Sequence, residues 1–582
     1  MGTAFTIDSP IKLAPLGIAS VMSINDDSLC ETMRQVWCKR YHYDYTPIKK
    51  SEPDYRAKRI TAYLDLVYDI VQLKVDALKN SPFEPGSSIT QYFEQLHHTH
   101  PLKIMYDTMI ASQSASYKTQ LQTLLRTRIM PGSIDVNIMT KLDRDTYDKS
   151  GQKLPDQYAD AVAALRGYAN SKLDNSAIIF SAGFNRRLFA YLEQCDDFYP
   201  DDNNQVKKRI ILKVSDFRSA QTQGVFLAKK GLWLHENRIE SGLNCGGHAF
   251  ATQGLIMGPI LEDFKQNREA LASKLFALCN TALAAKQRCV YTQRPPFRVT
   301  FQGGIGTAVE DQFLLNYYDL DGTGWATPFL LVPEATTVDT HTRHQLARSK
   351  PADLYLSDIS PLGVPFNTMK NTKSDQEKWD RVAAGKPGSP CPKGYLVSNT
   401  EFTKVPICTA SRTYQRLKLA SLNENEVSDA LKNQIYNKAC LCEDLAAPAL
   451  IESDTDTVLK KASAVCPGPN IAYFDQVFSL QAMIDHIYGR VSLHNDTLKR
   501  CNLFINEAQM YLDYFKKQLD SGIQTLASQR KKYLSEFKTN LNSGLTYYMN
   551  LIKTMPKTMT SPLSADDVTR LNALQTELNQ CH

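Results

Sequence analysis

The stretch RVTFQGGIGTAVEDQFLLNYYDLDGTGWATPFLLVPEA, Arg298 to Ala335, decides how the chain is read. Arg298 to Gln302 is a short β-prone run that stops at Gly303, Gly304, Ile305 and Gly306, and Glu310 to Tyr318 then has helical spacing. Leu320 to Thr327 follows as a second strand and turn, ending in Asp321, Gly322, Thr323, Gly324, Trp325, Ala326 and Thr327 ahead of the apolar run Phe329 to Val332. Glycines placed after a strand and before a helix let bare backbone N–H groups approach an anion, where the helix dipole also favours negative charge. Two such turns in consecutive βα units point to one shared phosphate. In a (β/α)8 barrel the loops after strands seven and eight are the usual phosphate site, which places this stretch there. The alternative is a pair of tight turns that bind nothing.

Working outward, further strands alternate with helical stretches. Ile11 to Leu16 reads as a buried first strand closing on Pro15, Leu16 and Gly17. From about 51 to 128 the pattern is helical, with Ile60, Tyr63, Leu64, Val67, Val71, Val75 and Leu78 on one face at three-to-four spacing. Ile134 to Met139, Ala177 to Phe180 and Arg209 to Val214 are strands, and Leu232 to Leu234 begins another that leads to Asn244, Cys245, Gly246, Gly247 and His248. Lys213 lies inside a strand, where a lysine either points to water from an edge or, near the C-terminal end of a barrel strand, faces a ligand. The alternation predicts a parallel sheet, and its count fits a barrel better than a doubly wound sheet.

Composition sets the outer limits. A chain of 582 residues is too long for a single compact core, and 43% hydrophobic with 22% charged residues is ordinary for a globular protein. A net charge of +6 without a basic block interleaved with aromatics argues against nucleic acid. No apolar run reaches the roughly 18 residues of a spanning helix, so no membrane partner is expected. The 13 cysteines, an odd number spread along the chain, fit a reducing cytoplasm better than a disulfide framework.

The order and spacing of these motifs resemble the nitronate monooxygenase (2-nitropropane dioxygenase-like) flavoproteins, a family related to flavin-dependent enoyl-acyl carrier protein reductases. Ala14, Pro15 and Leu16 stand where the family has Ala-Pro-Met; Val136, Asn137 and Ile138 match Val-Asn-Leu; Ala182 and Gly183 end the fourth strand. Asn244 to His248 stands for Glu-Ala-Gly-Gly-His, Gly303 to Ile305 for Gly-Gly-Ile, and Asp321, Gly322, Ala326, Thr327, Phe329 and Leu330 for the eighth-strand motif.

The resemblance implies an FMN-binding (β/α)8 TIM barrel. Gly303, Gly304, Ala326 and Thr327 would hold the phosphate, Asn137 and Lys213 would approach the isoalloxazine ring, and Ala14, Pro15, Leu16, Gly246 and Gly247 would line it. His248 would assist proton transfer at a small-molecule or acyl-thioester substrate, with a nicotinamide or protein electron donor. The departures are Asn244 for an acidic residue, Cys245 for alanine and Ala326 for glycine; Cys245 is thereby a candidate reactive thiol, or an inert buried one.

The expected organisation is an FMN barrel over 1–350 with a helical insertion at about 51–128, a loop-rich extension over 351–480, and a helical region over 481–582. In the extension, four of Cys391, Cys408, Cys440, Cys442 and Cys466 would suffice for an iron–sulfur cluster or zinc, with free core thiols as the alternative. In the last region Leu512, Phe515, Leu519, Ile523, Leu526, Tyr533, Phe537, Leu541 and Tyr548 form a near-heptad seam. Packing within the chain is preferred for it over a homo-oligomeric coil. The function expected is an FMN-dependent oxidoreductase, with enoyl-thioester reduction and a non-catalytic flavin-binding subunit as alternatives.

Overall fold

The computed structural model describes residues 4–581 apart from 141–142, 149, 182, 246–252, 423–427, 454–461, 496, 521–527 and 557–559. Its organising element is a sheet of β1 (Ser20–Ser23), β2 (Ile134–Ile138), β3 (Ser176–Phe180), β4 (Lys208–Val214), β5 (Glu236–Glu240), β6 (Arg298–Gln302) and β7 (Gly322–Gly324). The strands lie side by side in sequence order and every neighbouring pair is parallel. Parallel neighbours need crossovers, crossovers are right-handed, and an order that never reverses puts all of them on one face.

The strand side chains divide accordingly. Val136, Ile178, Leu212 and Phe301 point outward into the main core shared with the helices. On the inner face Ala177, Ile179 and Ile211 make only a small apolar patch. The rest of that face is polar and lines a cavity.

The α/β class and the parallel sheet are as the sequence indicates, whereas the strand count differs. Seven strands are paired, and among the described residues β7 does not pair with β1. Ile11 to Leu16 is not a strand. Ser9–Leu13 is helical, with Pro10 in its first turn where a missing N–H costs nothing, and Ala14–Leu16 is a 3-10 turn ended by Gly17 at φ 77°. Ala14 and Pro15 are therefore buried packing residues, and the first strand begins only at Ser20, pairing directly with Ile134.

The helical segment at 51–128 thus belongs to the β1-to-β2 crossover. Its helices are Tyr55–Asn80, Ser88–Glu94, Pro101–Ala111 and Ala115–Arg128, and the face from Ile60 to Leu78 is buried as its spacing predicts. The strand expected from Leu232 starts at Glu236, after the buried Leu232, Trp233 and Leu234.

Between β7 and β1 the N-terminal segment takes over part of the wall. Phe5, Leu13 and Leu16 line the cavity together with Phe329 and Leu330 of the 3-10 stretch Thr327–Leu331. Ser9 Oγ donates to the Ala335 carbonyl (2.7 Å), and the Thr337 N–H to that of Phe5 (3.1 Å).

The extension builds a second core from Leu331, Cys466, Phe474 and Met483 and carries an antiparallel pair, β8 (Leu354–Ser357) and β9 (Phe366–Met369). The C-terminal helices Leu503–Asp520, Ser528–Thr554 and Ala565–Gln580 pack back on the outside of the sheet layer, burying Leu512, Phe515, Phe537, Leu541 and Tyr548. The seam therefore closes within the chain; Ile523 and Leu526 lie outside the described residues. Tyr548 OH accepts from Gly258 N–H (3.0 Å) and Glu507 from Met257 N–H (2.8 Å), tying this region to the helix Met257–Ala285 that follows β5.

Candidate functional site

The inner face of the sheet borders a cavity of about 1520 Å³. Alternation along the strands sends Asp135, Asn137, Arg209, Lys213, Glu236, Arg238, Thr300 and Gln302 toward it. Several of these charges pair with one another, along β5 and from β5 to β2, rather than standing alone. Arg238 lies 2.7 Å from Glu236 and 3.8 Å from Asp135, and Thr300 Oγ1 donates to Glu236 (2.7 Å).

Burial pushes the Asp135 carboxyl up to about 6, although the Arg238 guanidinium opposes the shift. At Glu236 burial also disfavours the charge, but Arg238 and the Thr300 hydroxyl outweigh it and hold the carboxyl below its ordinary range. Two carboxyls on one inner surface are thus driven in opposite directions.

At the C-terminal ends of the strands the polar groups converge on Glu240. Its carboxylate accepts from Lys213 Nζ (2.9 Å), Asn244 Nδ2 (2.6 Å) and Gln302 Nε2 (2.5 Å). Asn137 Nδ2 donates to Ser23 Oγ (3.3 Å), while its Oδ1 is buried without a hydrogen-bond partner. An orphaned buried acceptor costs on the order of 1–3 kcal/mol, so this atom is poised to take a donor from a ligand. Lys213 and Asn137 therefore both face inward, beside Ser23 and Gln302.

The glycine turns are arranged differently. Gly303 (φ 106°) and Gly304 (φ 84°) do adopt the left-handed backbone their sequence suggests, and a Cβ on either would press on Asn244 or Leu243. The anion position at the following helix is filled by the chain itself. Glu310 Oε2 accepts from Gly306 N–H (2.8 Å) and Thr307 N–H (3.2 Å) in a capping box at the start of Ala308–Tyr317.

Arg500 pairs with Glu310 (2.8 Å), both nearly buried, and also donates to the Gly304 carbonyl (2.9 Å), as does Asn470 (2.6 Å). Thr327 is buried, with its hydroxyl accepting from Gly468 N–H (3.2 Å), while Ala326 is exposed at the cavity wall. Of the four residues expected to cradle a phosphate, Ala326 lines the cavity, whereas Gly303, Gly304 and Thr327 are not on its wall. The orphaned Asn137 Oδ1 and the Lys213 ammonium suit the polar edge of a heterocycle, whereas at the glycine corner the first-turn amides of the helix are already held by Glu310.

Burial pushes the Cys245 thiol up to about 12, against weaker help from hydrogen bonds with Gly468 and Thr327, which disfavours the thiolate at neutral pH. Gly246, Gly247, His248 and Ala182 lie outside the described residues. In the extension, Cys408, Cys440, Cys442 and Cys466 are buried and Cys391 is half-buried. Among the described residues no three Cys, His, Asp or Glu side chains gather in a way that could hold a metal ion.

The residues missed from sequence are Asp135, Glu236, Arg238, Glu240 and Gln302. Their one signal was the two-residue alternation of charged and apolar side chains in β2, β5 and β6. Arg500, Asn470 and Gly468 carried no such signal, because they arrive at the glycine corner from distant segments.

No family model matches the chain, and no curated protein matches it. Among solved structures, the enoyl reductase domain of MlnA from the macrolactin biosynthesis cluster of Bacillus amyloliquefaciens is similar over 77% of this chain and 88% of that one. The sequence identity is 13% and the TM-score 0.31. That degree of likeness leaves fold and site to be argued from this chain's own geometry. No described helix is long and apolar enough to cross a membrane.

Proposed function

We propose that the protein is an oxidoreductase that takes a flavin, FMN by the sequence resemblance, at the C-terminal ends of β1, β2, β4, β5 and β6. The observation that carries this reading is the unpartnered Asn137 Oδ1 beside Ser23 at the strand ends, where Lys213, Glu240 and Gln302 also gather. A bound flavin supplies electron transfer to or from a small organic or acyl substrate.

The chain's own groups do the rest. Asn137 accepts a donor from the ring's polar edge, and Lys213 supplies positive charge there while Glu240 holds its ammonium in place. His248, three residues beyond the cavity-lining Cys245, is proposed to assist proton transfer at the substrate. Because Glu310 holds the first-turn amides and Gly303, Gly304 and Thr327 lie off the cavity wall, the phosphate contributes little to binding. Reduction of a flavin complex by a nicotinamide cofactor would favour an enoyl-thioester reductase, and reduction only by a nitronate would favour the oxidase.

The test is titration of the purified chain with FMN and riboflavin, followed by flavin fluorescence. Quenching that saturates near one flavin per chain supports the site, and no quenching by either overturns it. The filled glycine corner also favours a second reading, a barrel that binds flavin without turnover. Saturable binding without reduction by any donor would select it.

A further inference from the structure

The strand ends are one polar wall of the cavity, and a second lies at the seam where, among the described residues, β7 and β1 leave the sheet open. There Asp311, on the helix Ala308–Tyr317, reaches the cavity beside Trp325, and Gln95 and Tyr488 also line it. Asp311 is only 6% exposed. Its Oδ1 accepts from Thr323 Oγ1 (2.5 Å) and Trp325 Nε1 (3.2 Å), while among the described residues nothing donates to its Oδ2.

No cation of the chain balances this carboxylate. Arg490 is taken by Asp485 (2.7 Å) and by the carbonyls of Glu94 and Leu96 (3.3 and 2.7 Å). His97 stands edge-on to Tyr488 (ring centroids 4.9 Å), but burial, His98 and Arg490 push its imidazole below its ordinary value, so it is neutral at pH 7. Burial raises the Asp311 carboxyl, against the hydrogen bonds from Thr323 and Trp325 and the attraction of His97. A carboxylate removed from water is ordinarily paired, and here the partner is missing.

The surroundings say what kind of partner fits. Trp325 and Tyr488 are half-buried rings on the cavity wall, next to the apolar Leu96, Ile484 and Ile487. Gln95 is 7% exposed, and its Oε1 is a further acceptor without a donor. Unsatisfied oxygens beside aromatic faces call for a positive charge that carries N–H donors. Space is also sufficient. The cavity holds about 1520 Å³, whereas a small-molecule pocket is roughly 300–1,000 Å³, so a flavin at the strand ends leaves room at the seam.

We propose that the seam between β7 and β1 binds a primary ammonium group on a hydrocarbon skeleton, with Asp311 as its counter-ion and Trp325 and Tyr488 against its carbon chain. A primary ammonium brings three N–H donors, which a quaternary one lacks. The site is independent of the flavin reading, because it uses none of Asn137, Lys213, Glu240 and Gln302.

The experiment is calorimetric titration of the full purified chain, without added flavin, with ethylamine, butylamine, hexylamine and phenethylamine, each paired with the alcohol of the same skeleton. The expected result is saturation by at least one amine at one per chain, with its alcohol about tenfold or more weaker. Asp311→Asn keeps an oxygen for Thr323 and Trp325 but removes the charge. The amine should then bind about tenfold or more weaker, while the alcohol changes by less than about threefold. Trp325→Leu removes an aromatic face and should weaken the same amine by about threefold or more. The proposal is overturned if no amine binds below about 10 mM, if amines and alcohols bind equally, or if either variant binds the amine as the wild type does. Should Asp311→Asn fail to fold, the wild-type pairs and Trp325→Leu decide the matter.

Discussion

The strand ends and the glycine corner were expected to hold opposite ends of one ligand, and they differ in how far the chain has satisfied its own polar groups. At the strand ends Asn137 Oδ1 is left without a partner. At the glycine corner Glu310 takes the amides of Gly306 and Thr307, and Arg500 takes Glu310 and the Gly304 carbonyl. The comparison teaches that a glycine motif fixes the path of the backbone and not its occupant. A carboxylate three residues into a helix can hold the same N–H groups that a phosphate would use.

The largest effect should come from breaking the closed corner. Arg500→Ala leaves Glu310 buried without its counter-charge, and a destabilisation of about 3–5 kcal/mol is expected in chemical denaturation. If the loss is small, water reaches the corner and an anion could replace the guanidinium.

Next comes the charged inner face. Asp135 titrates at about 6 in the folded chain, above its ordinary value of 3.8, so the folded state binds this proton more tightly than the unfolded state does. Its contribution to stability is complete below about pH 4 and is lost as pH rises through 6. Asp135→Asn should therefore stabilise the chain by up to about 2–3 kcal/mol at pH 7, with the gain vanishing toward pH 4. Thermal melts of both proteins across that range measure it; a gain independent of pH would trace to packing instead.

At the open end, Lys213→Met should weaken flavin binding about tenfold, near 1.4 kcal/mol, and cost less stability than Arg500→Ala, because Glu240 loses its counter-charge but keeps Asn244 and Gln302. Unchanged affinity would remove Lys213 from the site. The smallest expected difference separates the two ends most cleanly. FMN should bind no more than about threefold tighter than riboflavin, which lacks the phosphate, a difference below about 0.7 kcal/mol. A hundredfold preference for FMN would mean that the glycine corner opens to receive it.

Much of the scaffold was legible because parallel strands leave short apolar runs between helices. Arg298–Gln302 was read with its observed bounds, and the strands of Asn137 and Lys213 within a residue or two of them. Ile11 to Leu16 was misread because six mostly apolar residues suit a buried helix as well as a strand, and Pro10 at a helical first turn was the only local hint. The true first strand, Ser20–Ser23, is a short alternation of Ser, Val, Met and Ser with little hydrophobic signal.

Lys213 and Asn137 could be placed at the site because strand ends and motif agree there. The partners that close the glycine corner could not. Gly468, Asn470 and Arg500 meet it only through tertiary packing, with Arg500 lying 196 residues along the chain from Gly304.

The join between the N-terminal segment and the stretch after β7 has a consequence for the order of synthesis. Ser9 meets its partner Ala335 326 positions later. At about 5–20 residues per second, the ribosome adds that second half on the order of tens of seconds after the first. Until then Phe5, Leu13 and Leu16 have left the exit tunnel without their wall. The nascent chain therefore carries an exposed apolar end through most of the translation of the sheet, a natural landing place for a chaperone, and the cavity acquires its last side only when the sheet is already made.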